Sequence, residues 1–276
     1  LEMKRHVYGA DAKNTDLAAT LENLGIVYKQ RGNLDGAEAK YEDALEMKRH
    51  VYGADAKNTD LARTLENLGD VYRQRGNLNG AEAKYEEALE MKRHVYGADA
   101  KNTDLAFTLQ NLGIVYMQRG NLDGAEAKYE EALEMKRHVY GVDAKNTDLA
   151  TTLANLGIVY RKRGNLDGAE AKYEEALEMK RHVYGADAKN TDLALTLENL
   201  GIVYEQRGNL DGAEAKYEEA LEMKRHVYGA DAKNTDLART LHNLGSVYRQ
   251  RSNLDGAEAK YEEALEMKRH VYGADA

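Results

Sequence analysis

Seven histidines recur at a fixed interval: His6, His50, His94, His138, His182, His226 and His270 stand 44 residues apart. An imidazole binds metal or moves a proton only when a second ligand or a reacting group is within reach. Neighbouring helices pack about 10 Å apart, too far for two such histidines to share an ion. Each follows Lys and Arg where a helix should end, so the expected role is at a helix C-terminus. Asp11, Asn14 and Asp16 offer hard oxygens. Lys13 interrupts them, however, and the glycine and closing glutamate of a calcium loop are missing, which points to helix capping. Ser246 and Ser252 are the only serines and neither has a base in the repeat pattern. The absence of cysteine excludes disulfides, thiol catalysis and thiolate metal sites. No cofactor and no metal site is implied, and the chain is read as not an enzyme.

The interval belongs to the whole chain. Leu17–Asp60, Leu61–Asp104, Leu105–Asp148, Leu149–Asp192 and Leu193–Asp236 are near copies, and Leu237–Ala276 is a shortened sixth. A fixed period of this length means stacked supersecondary units, each burying its apolar face on its neighbours. The expected organisation is one solenoid: a partial repeat over 1–12, then repeats at 13–56, 57–100, 101–144, 145–188, 189–232 and 233–276. The net charge of −9 argues against nucleic acid, whose backbone wants a basic stripe. No 18-residue apolar run is present, so no membrane partner is expected. The lack of a basic, apolar leader suits a cytoplasmic location, and an opening inside a repeat suits an excised fragment.

Within residues 14–53, Leu17, Ala18, Leu21, Leu24, Val27 and Tyr28 recur at three- and four-residue steps, making the apolar stripe of a first helix. Asn14, Thr15 or Asp16 can cap it, and Gly32 suits its left-handed end. Asp35 with Glu38 has capping-box spacing for a second helix, whose buried stripe is Ala37, Tyr41, Ala44, Leu45, Val51 and Tyr52. Gly53 closes that helix. Gly25, inside the first helix, costs about 1 kcal/mol against alanine. A close approach of the second helix, through a small residue such as Ala37 or Ala44, would explain it. The periodicity allows only an all-α fold.

Leu21, Leu24-Gly25 and Tyr28, followed by Ala37, Tyr41 and Ala44, resemble the tetratricopeptide repeat in residue type and spacing. Leu21 replaces the family's usual Trp, and Arg49 stands where a proline commonly ends the second helix. The long second helix, the G-x-D loop and the D-L-A start are similar to the long repeats of kinesin light chain. The resemblance implies a right-handed α-solenoid of antiparallel helix pairs whose first helices line a concave groove that binds a protein or peptide.

The copies differ at nine positions of the repeat, and four carry most of the change: those of Ala19, Glu22, Ile26 and Lys29. Their three- and four-residue spacing sets them on one face of the first helix. Since a position that accepts Arg, Phe, Leu and Thr resists core packing, all four are expected to be exposed. The outer residues Glu38, Lys40, Glu42 and Lys48 are expected to be exposed too, yet hardly vary. An unvarying Asn lies in each stripe: Asn23, Asn67, Asn111, Asn155, Asn199 and Asn243. These amides can pair with a peptide main chain, as the resemblance implies, or cap and bridge within their own repeat. Phe107, Ile114 and Met117, with Ile158 one repeat along and Leu195 beyond, offer apolar anchorage, and Arg63, Arg73 and Arg161 favour a nearby carboxylate. The expected function is a protein-interaction scaffold holding an extended or helical peptide. The alternative is a structural array that stacks head-to-tail through its end helices, with residues 255–272 uncovered and the stub 1–8 partly blocking the other end.

Overall fold

The computed structural model describes residues 14–229 and 232–273. The partial repeat expected over 1–12, with the stub 1–8, His6 and Asp11, lies outside them. Among the described residues all regular structure is helical, and the chain divides into two compact units, Leu1–Gly141 and Val142–Ala276. The first holds α1 (Thr15–Gln30), α2 (Leu34–Tyr52), α3 (Thr59–Gln74), α4 (Leu78–Tyr96), α5 (Thr103–Gln118) and α6 (Leu122–Tyr140). The second holds α7 (Thr147–Lys162), α8 (Leu166–Tyr184), α9 (Thr191–Gln206), α10 (Leu210–Tyr228), α11 (Thr235–Gln250) and α12 (Leu254–Tyr272).

Short polar side chains set the helix starts. Asn14 Oδ1 accepts the Leu17 N–H at 2.8 Å, removing one of the orphan donors of the first turn. The second helices start two residues earlier than the Asp35–Glu38 spacing suggests. Asn33 is the cap, accepting from Gly36 N at 2.9 Å, while Asp35 reaches across to Arg75 of the next repeat at 2.7 Å. Gly32 ends α1 at φ +75°, and Ser252 holds the same left-handed place at φ +61°.

Within each unit the core of one repeat is completed by the next. Ala37, Tyr41 and Leu45 of α2 pack with Leu61, Ala62, Leu65, Leu68 and Val71 of α3 and with Ala88 and Met91 of α4. The second unit repeats this between α8, α9 and α10. Burial of each large apolar side chain contributes about 1.5–3 kcal/mol, so the boundary between repeats is where the array coheres. The recurring mid-helix glycine has the expected steric origin but a different partner. A Cβ on Gly25 would stand 2.7 Å from Cε1 of Tyr41, so a buried aromatic ring sets the requirement, not Ala37 or Ala44.

The buried stripe of the second helix also differs from its expected form. Val51 and Tyr52 are exposed, whereas Lys48 is buried with only 1% of its surface accessible. Position 48 continues the steps from Ala37 through Tyr41, Ala44 and Leu45. The last turn of the 19-residue α2 runs past its 16-residue neighbour α1, leaving Val51 and Tyr52 without cover.

Candidate functional site: the first-helix face

The four variable positions do not share one environment. The place of Ala19 is open in all but the fourth repeat, where Thr151 is half-buried: Arg63 and Arg239 are exposed, as are Phe107 at 52% and Leu195 at 46%. The place of Glu22, expected to be exposed, is so only at His242; Gln110 and Ala154 are half-buried, and the glutamates are buried. Glu22, Glu66 and Glu198 are 4%, 7% and 2% accessible. The places of Ile26 and Lys29 are mostly half-buried.

Glu22 is buried because Lys48 is. Lys48 Nζ donates to Glu22 Oε1 at 2.8 Å, to Thr64 Oγ1 at 3.0 Å and to the Asp60 carbonyl at 3.2 Å. Asp60 Oδ1 lies 3.0 Å from the same ammonium. Thr64 Oγ1 donates to Glu22 Oε1 at 2.5 Å. One ammonium thus ties α1, α2 and α3 together. A buried charge needs such a full set of partners, since desolvating an ion costs several kcal/mol. Lys92 repeats the arrangement with Glu66 and Asp104, each at 2.7 Å, and Lys224 does so with Glu198 at 2.8 Å. Burial raises the Glu66 carboxyl above its ordinary pKa, with Lys92 pulling it back. Burial lowers the Lys224 ammonium, against the pull of Glu198. Sequence reasoning missed this network by placing Lys48 outside. The period-3.6 stripe that includes position 48 was the signal available.

Lys92 and Lys224 stand in clefts between successive first helices. Thr59, Asp60, Arg63, Glu66, Lys92, Tyr96 and Asp104 line a cleft of about 240 Å³. The corresponding cleft in the second unit, about 400 Å³, is lined by Thr191, Asp192, Leu195, Lys224, Tyr228, Asp236 and Arg239. Arg63 and Leu195 occupy the same place in the two, so this variable position is cationic in the first cleft and apolar in the second, where Arg239 supplies a cation from the next repeat. Furrows on the second-helix side, lined by Glu42, Leu45, Glu46, Arg49, Leu68 and Lys84 in one repeat and their equivalents in another, have the same lining each time.

The other anticipated residues fall as follows. Asn23 is exposed, Asn67, Asn155, Asn199 and Asn243 are half-buried, and Asn111 is buried. Phe107, Ile114 and Met117 stand on α5 in the first unit. Ile158 and Arg161 stand on α7 and Leu195 on α9 in the second. Arg63 bridges Asp60 and, at 3.5 Å, Glu22, and Arg73 meets Asp70 at 3.4 Å. Changes at the places of Ile26 and Lys29 also decide the partner of the buried tyrosine below them. Tyr85 Oη donates to Asp70 at 2.7 Å and Tyr217 Oη to Glu205 at 3.0 Å. Tyr41 and Tyr129, beside Ile26 and Ile114, find no partner for their hydroxyls among the described residues. The histidines from His50 to His270 are exposed in the last turns of the second helices. No helix among the described residues is long and apolar enough to cross a membrane.

The tetratricopeptide repeat profile matches five overlapping windows, residues 16–94, 60–138, 104–182, 148–226 and 192–270. The chain is a tetratricopeptide repeat protein. Members of this family generally act as protein-interaction scaffolds and not as catalysts. Among solved structures, BtubC (BKLC) from P. vanneervenii is 25% identical, with a TM-score of 0.72 over 87% of this chain and 92% of that one. The nearly identical repeats of a putative kinesin light chain from Podosopora anserina are 13% identical, with a TM-score of 0.64 over 78% and 98% of the two chains. Pseudomonas aeruginosa PilF is 19% identical, with a TM-score of 0.61 over 94% and 93%. The last two show the fold alone, that of a tetratricopeptide solenoid. No curated protein sequence matches this chain.

Proposed function

We propose that this tetratricopeptide repeat protein holds an extended or helical peptide segment on the face formed by its first helices. The carrying observation is the contrast between its two sides: sequence change among the copies gathers on the first helix, whereas the furrows between second helices keep one lining. Neutral drift at exposed sites would mark both sides alike. Phe107, Ile114 and Met117 in the first unit, and Ile158 and Leu195 in the second, supply apolar contact, worth about 1.5–3 kcal/mol per buried anchor. Arg63, Arg73 and Arg161 favour acidic neighbours on the ligand. The asparagines from Asn23 to Asn243 provide donors and acceptors for its main chain.

A peptide-library pull-down tests the reading. Phe107→Asp should reduce capture at least tenfold while leaving the melting temperature within about 1 °C, because the ring is exposed. Changing all six asparagines to alanine should lower capture across peptides of every sequence. Equal loss of capture and stability in Phe107→Asp would reject the proposal.

Stacking of one copy on another is the second reading, and α12 favours it. Leu265 is 47% exposed, whereas the equivalent Leu45, Leu89, Leu133, Leu177 and Leu221 are each 5% exposed. Sedimentation over a concentration series separates the two: mass rising with concentration supports stacking, and a constant monomer mass removes it.

A further inference from the structure

The buried lysine recurs in the first five repeats, while Lys268 of the sixth is exposed, but its partner from the first helix does not recur. Glu22, Glu66 and Glu198 supply a carboxylate to Lys48, Lys92 and Lys224. Gln110 supplies an amide oxygen to Lys136 at 2.7 Å. In the fourth repeat the same position is Ala154, which has nothing to offer. Lys180 remains 2% accessible and keeps Asp192 Oδ1 at 2.7 Å, Thr196 Oγ1 at 2.9 Å and the Asp192 carbonyl at 3.4 Å. Thr196 Oγ1, whose equivalents Thr64, Thr108 and Thr240 donate to a glutamate, has among the described residues only the Asp192 carbonyl at 3.1 Å as acceptor.

We infer that Lys180 Nζ and Thr196 Oγ1, with Ala154 as the floor, form a notch that takes a carboxylate of the bound peptide. The inference rests on the first-helix face being the ligand face. The protein itself supplies the ligand chemistry three times over, since the same two donors grip a carboxylate in the first, second and fifth repeats. A second anion beside Asp192 is no obstacle. Lys92 holds Glu66 and Asp104 together, each at 2.7 Å. The way in is from the first-helix face: Ala154 is half-buried, and Lys92 and Lys224 line open clefts on that face. Where Glu22 and Glu198 sit, an arginine of the next repeat, Arg63 or Arg239, closes over the carboxylate. At Ala154 that place holds the exposed Leu195, and half-buried Ile158 lies one turn on from Ala154. The notch therefore selects a carboxylate flanked by an apolar group.

Thermal melts of the whole chain at pH 7 test the assignment, comparing sodium acetate with sodium chloride at equal ionic strength. Acetate should raise the melting temperature by about 1–3 °C in the parent protein. The rise should vanish in Ala154→Glu, whose side chain occupies both donors as Glu66 does, and in Ala154→Gln, whose amide oxygen takes the ammonium as Gln110 does. N-acetylglycine and N-acetylaspartate diamide, compared in the same way, distinguish a chain-terminal carboxylate from a side-chain one, and the larger rise names the source. No rise with any of the three probes, or equal rises in the parent and both variants, overturns the inference. Failure here leaves peptide capture through Phe107 intact, because Phe107→Asp does not touch Lys180.

Discussion

Lys92 bears a charge that the fold has taken out of water, and its partners decide whether that is tolerable. Lys92→Met would leave Glu66 buried without its ammonium. Losing one partner of such a pair costs about 3–5 kcal/mol, measurable at pH 7 by urea unfolding. Burial already raises the Glu66 carboxyl above its ordinary value, and losing Lys92 raises it further. A carboxyl raised in the folded state favours folding fully below its unfolded pKa, about 4.3, and that contribution is lost as pH rises through the folded value. The Lys92→Met defect should therefore shrink steadily as pH falls from 7 toward 4.5, and an unchanged defect would show that Glu66 is not its source. Glu66→Gln should cost less than about 1 kcal/mol, since Gln110 already serves Lys136 in this way.

At the scale of the helix, the sharpest departure from the repeat is Ser252. Its left-handed backbone, φ +61°, costs a non-glycine residue about 1–2 kcal/mol. Glycine gives back about 0.4–1 kcal/mol through its freer unfolded chain. Ser252→Gly should thus stabilise α11 and α12 by about 0.5–1 kcal/mol, raising the melting temperature by about 1–3 °C. The opposite exchange in mid-helix should fail. Gly113→Ala gains about 1 kcal/mol in helix propensity, but its Cβ would stand 2.6 Å from the Tyr129 ring. Because that ring is fully buried and cannot retreat, an overpacking cost of about 1–3 kcal/mol should make the net effect destabilising in thermal melts.

Across the molecule, Tyr41, Tyr85, Tyr129, Tyr173 and Tyr217 are fully buried, and burial raises all five phenols. Tyr41 and Tyr173 are pushed up to about 12, and Tyr85, Tyr129 and Tyr217 beyond that. Their contribution is complete below the unfolded value near 10 and is lost as pH rises through the folded values. Stability should therefore fall above pH 10 by up to about 1.4 kcal/mol per pH unit for each tyrosine. Tyrosinate absorbance should appear in two steps, the second coinciding with loss of helix by circular dichroism. A single step with helix retained at pH 12 would contradict the burial. The exposed rungs between repeats, such as Lys57–Glu90 and Lys101–Glu134 in the first unit, each 2.6 Å, have the opposite sign. Lysine lowers those carboxyls, so what they contribute fades as pH falls through their folded values, and salt screens it.

By themselves the amino acids determined the paired-helix repeat, its family, the asparagine start of the first helices, the glycine ends and the openness of the place held by Ala19, Phe107 and Leu195. Each of these follows from local geometry: the angular step of 100° per residue, capping chemistry and the left-handed freedom of glycine. Tertiary structure alone decided that Glu22 is the counter-ion of Lys48 and that Val51 and Tyr52 lie outside. Periodicity assigns a side chain its direction around its own helix, but not how far a neighbour extends along it. The partners of one buried ammonium come from residues 26, 12 and 16 positions away, and only the packing of three helices brings them to one point.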